Sequence, residues 1–330
     1  MLKFFKHSYV AQFVVIVLLI AVLWIPVIII HSQDVGYDYP TTPLYNLLQT
    51  LMGFSNVAMT VLVMMVFVAC VFLFNSMMSV DNLVTRNSSI ASFVMVLCMC
   101  CVPIRNEYYP FLIALPFIML AQQTVLLIYK VEKPERYLMN MGIFIAMASM
   151  FYIPSVVLVL WILFAMAVHG IKEIRLILIP IVGFITPYFI ITMLLYITGG
   201  LQDVVSSYAN AFSSISFMRF DISGMEKVVL LVMLLLSLIS IITISSKNSD
   251  IIAATRKRKT VTMVLFVISI LMLSSQNPVV SNGFFFFMAS VLISMALCCV
   301  KRTKLVNVVM IVLMLAIVVN QYLPLFGVNL

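Results

Sequence analysis

Long apolar runs, separated from one another by short polar segments, are the main pattern of this 330-residue chain. Each run is continuous rather than alternating in pieces of about ten residues, which predicts helices and not the strands of an outer-membrane barrel. A helix needs about 20 apolar residues to cross a bilayer. The pattern therefore predicts an all-α, polytopic bundle of about eleven transmembrane helices. The predicted spans lie near residues 9–30, 57–77, 88–104, 110–129, 137–153, 154–170, 174–198, 225–245, 260–275, 284–300 and 305–322.

Two of the segments between the spans carry an amphipathic pattern of their own. Residues 44–56 place leucine and methionine side chains at i, i+3, i+4, i+7 and i+8, with polar side chains opposite. Thr42 stands at the N-cap position and Pro43 at the first helical position, where these residue types favour the start of a helix. Residues 201–215 repeat the pattern. Each segment is predicted to be a helix lying in the interface at the outer face of the membrane. The alternative is an extension of the neighbouring span.

Several predicted spans are shorter than the usual length of about 20 residues. They are the spans at 88–104, 137–153, 154–170 and 260–275. Short spans that are surrounded by protein have recessed ends. Recessed ends at the outer face would form an outward-facing cavity.

Small residues and prolines predict local features of two spans. Gly142 and Ala146 form a small-xxx-small pair, which lets a neighbouring helix approach closely. Pro180, Gly183 and Pro187 predict a kink in the seventh span.

The composition makes lipid the solvent for most of the chain. Hydrophobic residues make up 64% and charged residues 9% of the sequence, and the mean hydropathy is +1.21. Soluble domains are about a quarter charged. We therefore predict one integral membrane domain over residues 1–330. Lys3 and Lys6 precede a run that is longer than a signal-peptide core, so this run is predicted to remain as the first span. The six cysteines fall inside apolar runs, where small soft side chains pack.

The basic residues indicate how the chain is threaded. With the N-terminus on the cytoplasmic side, only Arg105, Arg219 and Lys227 of the 19 basic residues fall in outer loops. The 11 acidic residues divide almost evenly, so the asymmetry lies in lysine and arginine, which set orientation. An odd number of spans then puts the C-terminus outside. The basic run at residues 256–259 is predicted to anchor this topology beside lipid headgroups. Nucleic acid is not a predicted partner, because no aromatic interleaving accompanies the run.

The predicted spans contain essentially no ionisable residue at mid-depth, which disfavours a proton-driven pump. Their polar residues are neutral, for example Gln122, Ser149 and Ser240, and helix–helix hydrogen bonding is their predicted role. The chain has no glycine-rich phosphate loop, no Gly-x-Ser-x-Gly and no His-Glu-x-x-His motif. Its three histidines are too few for a four-histidine oxygenase.

Polar residues predicted at the outer face form the candidate site. Asp34 and Asp38 follow the first span as candidate catalytic residues. Arg105, Glu107 and Tyr108 precede the fourth span as candidate substrate-binding residues. A carboxylate acts as a general base or binds a divalent cation, and an arginine holds a phosphate bidentately. The alternative is a set of ordinary solvated loops.

Three stretches carry a resemblance to known sequences. They are Phe74-Asn-Ser76 with residues 81–87, Tyr137–Gly142 continuing through Phe151–Pro154, and Gly183–Phe189. These stretches resemble a family of uncharacterised bacterial multi-pass inner-membrane proteins. The resemblance implies a multi-pass protein of the bacterial cytoplasmic membrane and implies no activity.

A second, more distant resemblance rests on the order of segments. An acid-bearing first outer loop is followed by Arg105–Pro110, a span, a basic inner loop and then Asn140–Ser149. Over roughly residues 1–200 this order resembles the GT-C glycosyltransferase architecture, whose members use polyprenyl-phosphate sugars. The resemblance implies that Asp34 or Asp38 takes the acceptor's proton and that Arg105 contacts a phosphate. It also implies a divalent cation as candidate cofactor, with residues 201–330 as additional spans.

Three functions remain open at this point. The first is a GT-C-like transferase that uses a lipid-linked sugar in cell-envelope biosynthesis. The second is a carrier or channel for a neutral or lipidic solute, for which two related halves and a midplane site are expected. The sequence shows no convincing internal repeat. The third is a non-catalytic subunit of an envelope assembly. Membrane lipids are the predicted partners in each case.

Overall fold

The computed structural model describes residues 5, 10–31, 42–52, 55–80, 88–102, 104, 108–128, 131, 133–198, 224–246, 253–273, 278–299 and 303–322. Within these ranges every regular element is helical, which confirms the predicted all-α class. The helices are α1 (Val10–His31), α2 (Pro43–Leu51), α3 (Asn56–Val80), α4 (Ile90–Met99), α5 (Tyr109–Leu127), α6 (Glu135–Phe151), a 3-10 helix (Ile153–Val157), α7 (Leu158–His169), α8 (Ile174–Thr198), α9 (Gly224–Ser246), α10 (Ala253–Met272), α11 (Pro278–Cys299) and α12 (Thr303–Tyr322).

Each predicted span overlaps at least one of these helices, and α2 corresponds to the amphipathic segment predicted at residues 44–56. Helices α1, α3, α5, α8 and α9 are long and apolar enough to cross a membrane. Shorter apolar helices are found in α4, in the 3-10 helix with α7, in α11 and in α12. The protein is therefore a multi-pass helical membrane protein. The amphipathic segment predicted at residues 201–215 lies outside the described residues.

Contacts between the helices show which of their ends lie together. The hydroxyls of Thr60, in the first turns of α3, and Tyr109, at the start of α5, share a hydrogen bond of 2.8 Å. Trp24, near the end of α1, stacks on Tyr109 with the ring centroids 6.5 Å apart. The Thr42 hydroxyl, directly before α2, donates to the Phe151 carbonyl at the end of α6 over 3.3 Å. One end of the bundle therefore holds the starts of α2, α3 and α5 and the ends of α1 and α6.

The other end of the bundle joins the start of α10 to the ends of two helices. The Arg258 Nε donates to the Leu126 carbonyl of α5 over 2.8 Å, and the Lys257 Nζ to the His169 carbonyl of α7 over 3.4 Å. We call this end the basic end, and it holds Lys133, Arg136, Lys172, Arg175 and the run Arg256–Lys259. The two ends together show that α5, α6 and α7, which follow one another in the chain, run in alternating directions.

Helix α4 lies at the centre of the bundle and packs against α1, α3, α11 and α12. All ten of its residues are buried, as expected of a helix that is apolar on every side. Ten residues make a helix of about 15 Å, half of the hydrocarbon core of about 30 Å. The span predicted at residues 88–104 is thus helical only in its middle. The chain leaves the helix at Cys100, and Cys100, Cys101 and Val102 are buried. Protein surrounds this backbone, which is the condition under which a membrane interior tolerates it.

The small residues of α6 are packed closely, as predicted. Gly142 lies against the backbone of α8 near Gly183, and Ala146, one turn further on, is fully buried. The seventh span, for which a kink was predicted, corresponds to α8, a single helix that contains Pro180 and Pro187.

Candidate functional site

Most of the predicted outer-face site falls outside the part of the chain that the structure describes. This applies to Asp34, Asp38, Arg105 and Glu107. Tyr108 is described, and it stands directly before α5 with 3% of its surface exposed. Its neighbour Tyr109 carries the hydrogen bond to Thr60. A substrate contact from Tyr108 remains a prediction.

Helix α2 is held against the bundle at the same end as Tyr108. Thr42 occupies the predicted N-cap position, but its side chain makes no capping bond to α2 and instead bonds Phe151. Tyr45 is fully buried, whereas Leu47 and Leu51, one turn apart, are 54% and 75% exposed. One face of α2 thus packs on protein and another presents leucine side chains outward. This division fits a helix that lies in a membrane interface.

A cavity of about 260 Å³ lies between α4, α9, α11 and α12. Its lining residues fall near the middle of α9 and α12, between residues 233 and 243 and between residues 309 and 317. The lining comprises Val94, Leu97 and Cys98 of α4, Cys101 just after α4, Met233, Leu236, Ile239, Ser240 and Thr243 of α9, Ile293, Ala296 and Leu297 of α11, and Val309, Met310, Leu313 and Ile317 of α12. No charged side chain is among these residues.

The polar atoms of the lining already have hydrogen-bond partners within their own helices. The Ser240 hydroxyl donates to the Leu236 carbonyl over 2.7 Å, and the Thr243 hydroxyl to the Ile239 carbonyl over 2.8 Å. The Cys101 thiol donates to the Leu97 carbonyl over 3.1 Å. Because these groups already donate to backbone carbonyls, they need no polar ligand, and the cavity is suited to an apolar ligand.

The cavity opens sideways between α9 and α12. Ile239 of α9 and Val309 of α12 line the cavity, yet they are 59% and 39% exposed on the outside of the bundle. Ile242 and Val308, beside them, are 68% and 60% exposed. The residues that border the opening are therefore apolar and belong to the surface that faces lipid.

Three cysteines lie at and just after the end of α4, and two of them line this cavity. Cys98 and Cys101, one turn apart, line the cavity, whereas Cys100 is buried elsewhere. Within the described ranges, no group of three or more histidine, cysteine, aspartate or glutamate side chains is arranged to hold a metal ion.

The basic run of α10 has a structural role that its sequence did not indicate. The run was predicted in an inner loop, but residues 256–259 lie inside α10. Arg258 and Lys257 bind carbonyls near the ends of α5 and α7, where unpaired carbonyls and the helix dipole favour a positive charge. The run therefore links the start of α10 to the ends of α5 and α7.

Neutral polar residues in the helices pair between helices less often than predicted. Ser149 of α6 does share a hydrogen bond of 2.7 Å with the Tyr188 hydroxyl of α8. Ser237 and Ser240, in contrast, bond carbonyls of their own helix. Among the described residues, the buried Gln122 amide has no hydrogen-bond partner on either its nitrogen or its oxygen. In lipid a hydroxyl is satisfied as well by its own helix as by a neighbour.

Comparison with known proteins gives no match to a family model, to a characterised protein or to a solved structure. The two family resemblances therefore remain predictions, and the helical, multi-pass membrane architecture stands on the structure alone. Sequence reasoning missed the cavity between α9 and α12. The available signal was weak: Cys98 with Cys101, and Ser240 with Thr243, each at a spacing of three residues on one helical face.

Proposed function

We propose that this protein binds the hydrocarbon chain of a membrane lipid in the cavity between α9 and α12. The observation that carries the proposal is the lateral opening. Ile239 and Val309, which border it, line the cavity and are also exposed on the outside of the bundle. A water-soluble ligand would have to cross lipid to reach it. A lipid chain needs only to slide in from the side.

Packing supplies the attraction in this setting. Lipid tails are as apolar as leucine, so moving a chain from the bilayer into the cavity gains little hydrophobic free energy. An empty cavity, however, leaves its lining atoms without contact partners on one side. A chain that fills about 260 Å³ restores those contacts. A site of this kind suits a carrier of lipidic solutes or a protein that acts on a lipid-linked substrate.

Photolabelling tests the proposal. The purified protein is irradiated with a long-chain fatty acid that carries a diazirine near its methyl end, and labelled peptides are mapped by mass spectrometry. We expect labels on the peptides of α4, α9, α11 and α12. Leu313→Trp fills the cavity and should reduce this labelling at least tenfold. Val312→Trp adds the same bulk to a residue that is 59% exposed outside the cavity and should leave it unchanged. Equal labelling of both variants would contradict the proposal.

We further propose the full threading: eleven spans, with the basic end on the cytoplasmic side of a bacterial inner membrane and α2 in the opposite interface. The lysines and arginines gathered at the basic end support this orientation. In intact cells a membrane-impermeant maleimide should label Gln49→Cys in α2. It should label Lys172→Cys only after the membrane is opened. The reverse pattern would overturn the orientation.

A second candidate function is the GT-C-like transferase, which acts on a lipid-linked sugar. The observation that favours it is that α1 and Thr42 flank the loop of Asp34 and Asp38, and that Thr42 bonds Phe151 at the bundle end where Tyr108 lies. In this function either carboxylate takes the acceptor's proton, Arg105 contacts a phosphate of the donor, and Glu107 contacts the substrate, with a divalent cation as candidate cofactor. Separate Asp34→Asn and Asp38→Asn variants should each be assayed for envelope glycan. Undisturbed glycan in both variants would exclude these catalytic roles.

A further inference from the structure

The last turn of α12 is anchored to the end of α4. The Asn320 side-chain nitrogen donates to the Cys101 carbonyl over 2.9 Å. The Gln321 side-chain nitrogen donates to two carbonyls, that of Cys100 over 3.0 Å and that of Val102 over 2.9 Å. These bonds satisfy backbone groups that the end of α4 leaves without helical partners. The Tyr322 hydroxyl adds a bond of 3.0 Å to a carbonyl of α1.

The middle of α12 has far less support. Val309, Met310, Leu313 and Ile317 border the cavity on the protein side. On the other side Val308, Val312 and Leu315 are 56–60% exposed. Met310 and Ile317 are buried and belong to the core, so α12 contacts the bundle at these two positions. Between them it borders the cavity, so a tilt of α12 breaks fewer contacts there than it would in a close-packed interior.

We propose that α12 is a lateral gate, which turns about its anchor at residues 320–322 and admits a lipid chain between α9 and α12. The gate rests on the proposed lipid-chain site and describes its regulation. Because the anchor is at the end of α12, the largest displacement occurs at its start. Val309 lies eleven residues from Asn320, or about 16 Å along the helix. A tilt of about 15° would move it by about 4 Å, the contact separation of two carbon atoms.

The direction of opening also selects the membrane leaflet that supplies the chain. The start of α12 is the end that moves, and α9 ends at Ser246, seven residues before α10 begins at the basic end. Seven residues reach at most about 25 Å, which is too short to return across the bundle. The parts of α9 and α12 that separate are thus those near the basic end. The chain enters from the leaflet on that side.

Distance measurements between spin labels test the gate. The pair Ile242→Cys in α9 and Val308→Cys in α12 lies near the moving end, and both residues are exposed. The matched pair Leu231→Cys and Val319→Cys lies near the anchor, and both residues are 60% exposed. The labels are introduced with Cys298 and Cys299 changed to serine, and distances are measured in lipid vesicles by double electron–electron resonance. We expect two populations about 5 Å apart for the first pair, from the same tilt of α12 about its anchor. We expect a single population for the second pair.

Photolabelling with the diazirine fatty acid in the same vesicles separates the two proposals. Cavity labelling together with a single distance for the first pair would overturn the gate and leave the lipid site standing. Two distances without cavity labelling would overturn the lipid site. Equal broadening of both pairs would overturn the pivot at residues 320–322. Added fatty acid should shift the two populations of the first pair at least twofold, since a bound chain stabilises one position of α12.

Discussion

Gly142 of α6 and Gly183 of α8 meet across a contact between two helix backbones. A Cβ atom on Gly142 would overlap the Pro180 carbonyl and lie 2.8 Å from the Phe184 nitrogen. A Cβ atom on Gly183 would lie 2.5 Å from the Met139 carbonyl oxygen. Both glycines are needed because the neighbouring atoms are backbone and cannot move aside. Small residues of this kind let membrane helices pack through van der Waals contact.

Gly142→Ala should destabilise the protein by about 3 kcal/mol, because the added methyl forces α6 and α8 apart. The matched control is Gly170→Ala. Gly170 has a φ of 86°, and apart from its chain neighbours no atom of the described residues lies within 4 Å of its Cβ position, so backbone strain is what opposes the change. That strain costs about 1–2 kcal/mol. Thermal unfolding in detergent measures both variants. A Gly142→Ala protein at least as stable as Gly170→Ala would contradict the close packing.

Gln321→Met should destabilise the protein by about 1–3 kcal/mol, because it removes the donor shared by two buried carbonyls. The side chain is 2% exposed, so water cannot replace it. The same unfolding assay measures the loss. The variant should also broaden the Leu231–Val319 distance, since the anchor of α12 is weakened. Unchanged stability would show that these hydrogen bonds contribute nothing.

Gln122→Met should stabilise the protein by about 1 kcal/mol or leave it unchanged. Gln122 is 1% exposed, and neither end of its amide has a hydrogen-bond partner in the part of the chain that the structure describes. Burying an unpaired amide costs free energy, which an apolar side chain of similar shape avoids. The substitution is chemically identical to Gln321→Met, so the two proteins serve as controls for each other. A loss of stability comparable to that of Gln321→Met would contradict the unpaired state.

Arg258→Met should cost about 1–2 kcal/mol, because a charged donor at the end of α5 is lost. Arg256→Met removes the same charge from an exposed position two residues away and should change stability by less than about 0.5 kcal/mol. Unfolding in detergent at low salt measures both. Equal effects would indicate that net charge, and not the bond to Leu126, is what matters.

The twelve α-helices of the described ranges were largely predictable because each is determined mainly by its own stretch of sequence. The predicted span at 174–198 has the same bounds as α8, and Pro43 begins α2 as its position indicated. The predicted span at 88–104 was less accurate, since α4 stops at Met99. Pro103 is a local signal for this end, because proline does not continue a helix and restricts the residue before it. Gln321, which bonds the carbonyls after α4, lies more than 200 residues along the chain and could not be paired with them from the sequence.

The cavity was not predictable either, because it depends on contacts between residues that are far apart in the chain. Leu97, Ile239, Ala296 and Leu313 are ordinary apolar positions in four separate spans, and only their packing leaves a space between them. The role of Arg258 was hidden as well, because a basic residue at the start of a span is typical of membrane topology whether or not it binds a helix end.

The sequence by itself determined the apolar helices and placed most of the described basic residues at one end. In lipid, backbone groups must be satisfied within each segment, so helix formation is a local property of an apolar run. The tertiary structure alone decided the burial of α4, the anchor at Gln321 and the cavity between α9 and α12. Apolar helices choose neighbours by van der Waals fit, and faces that are equally apolar look alike in a sequence.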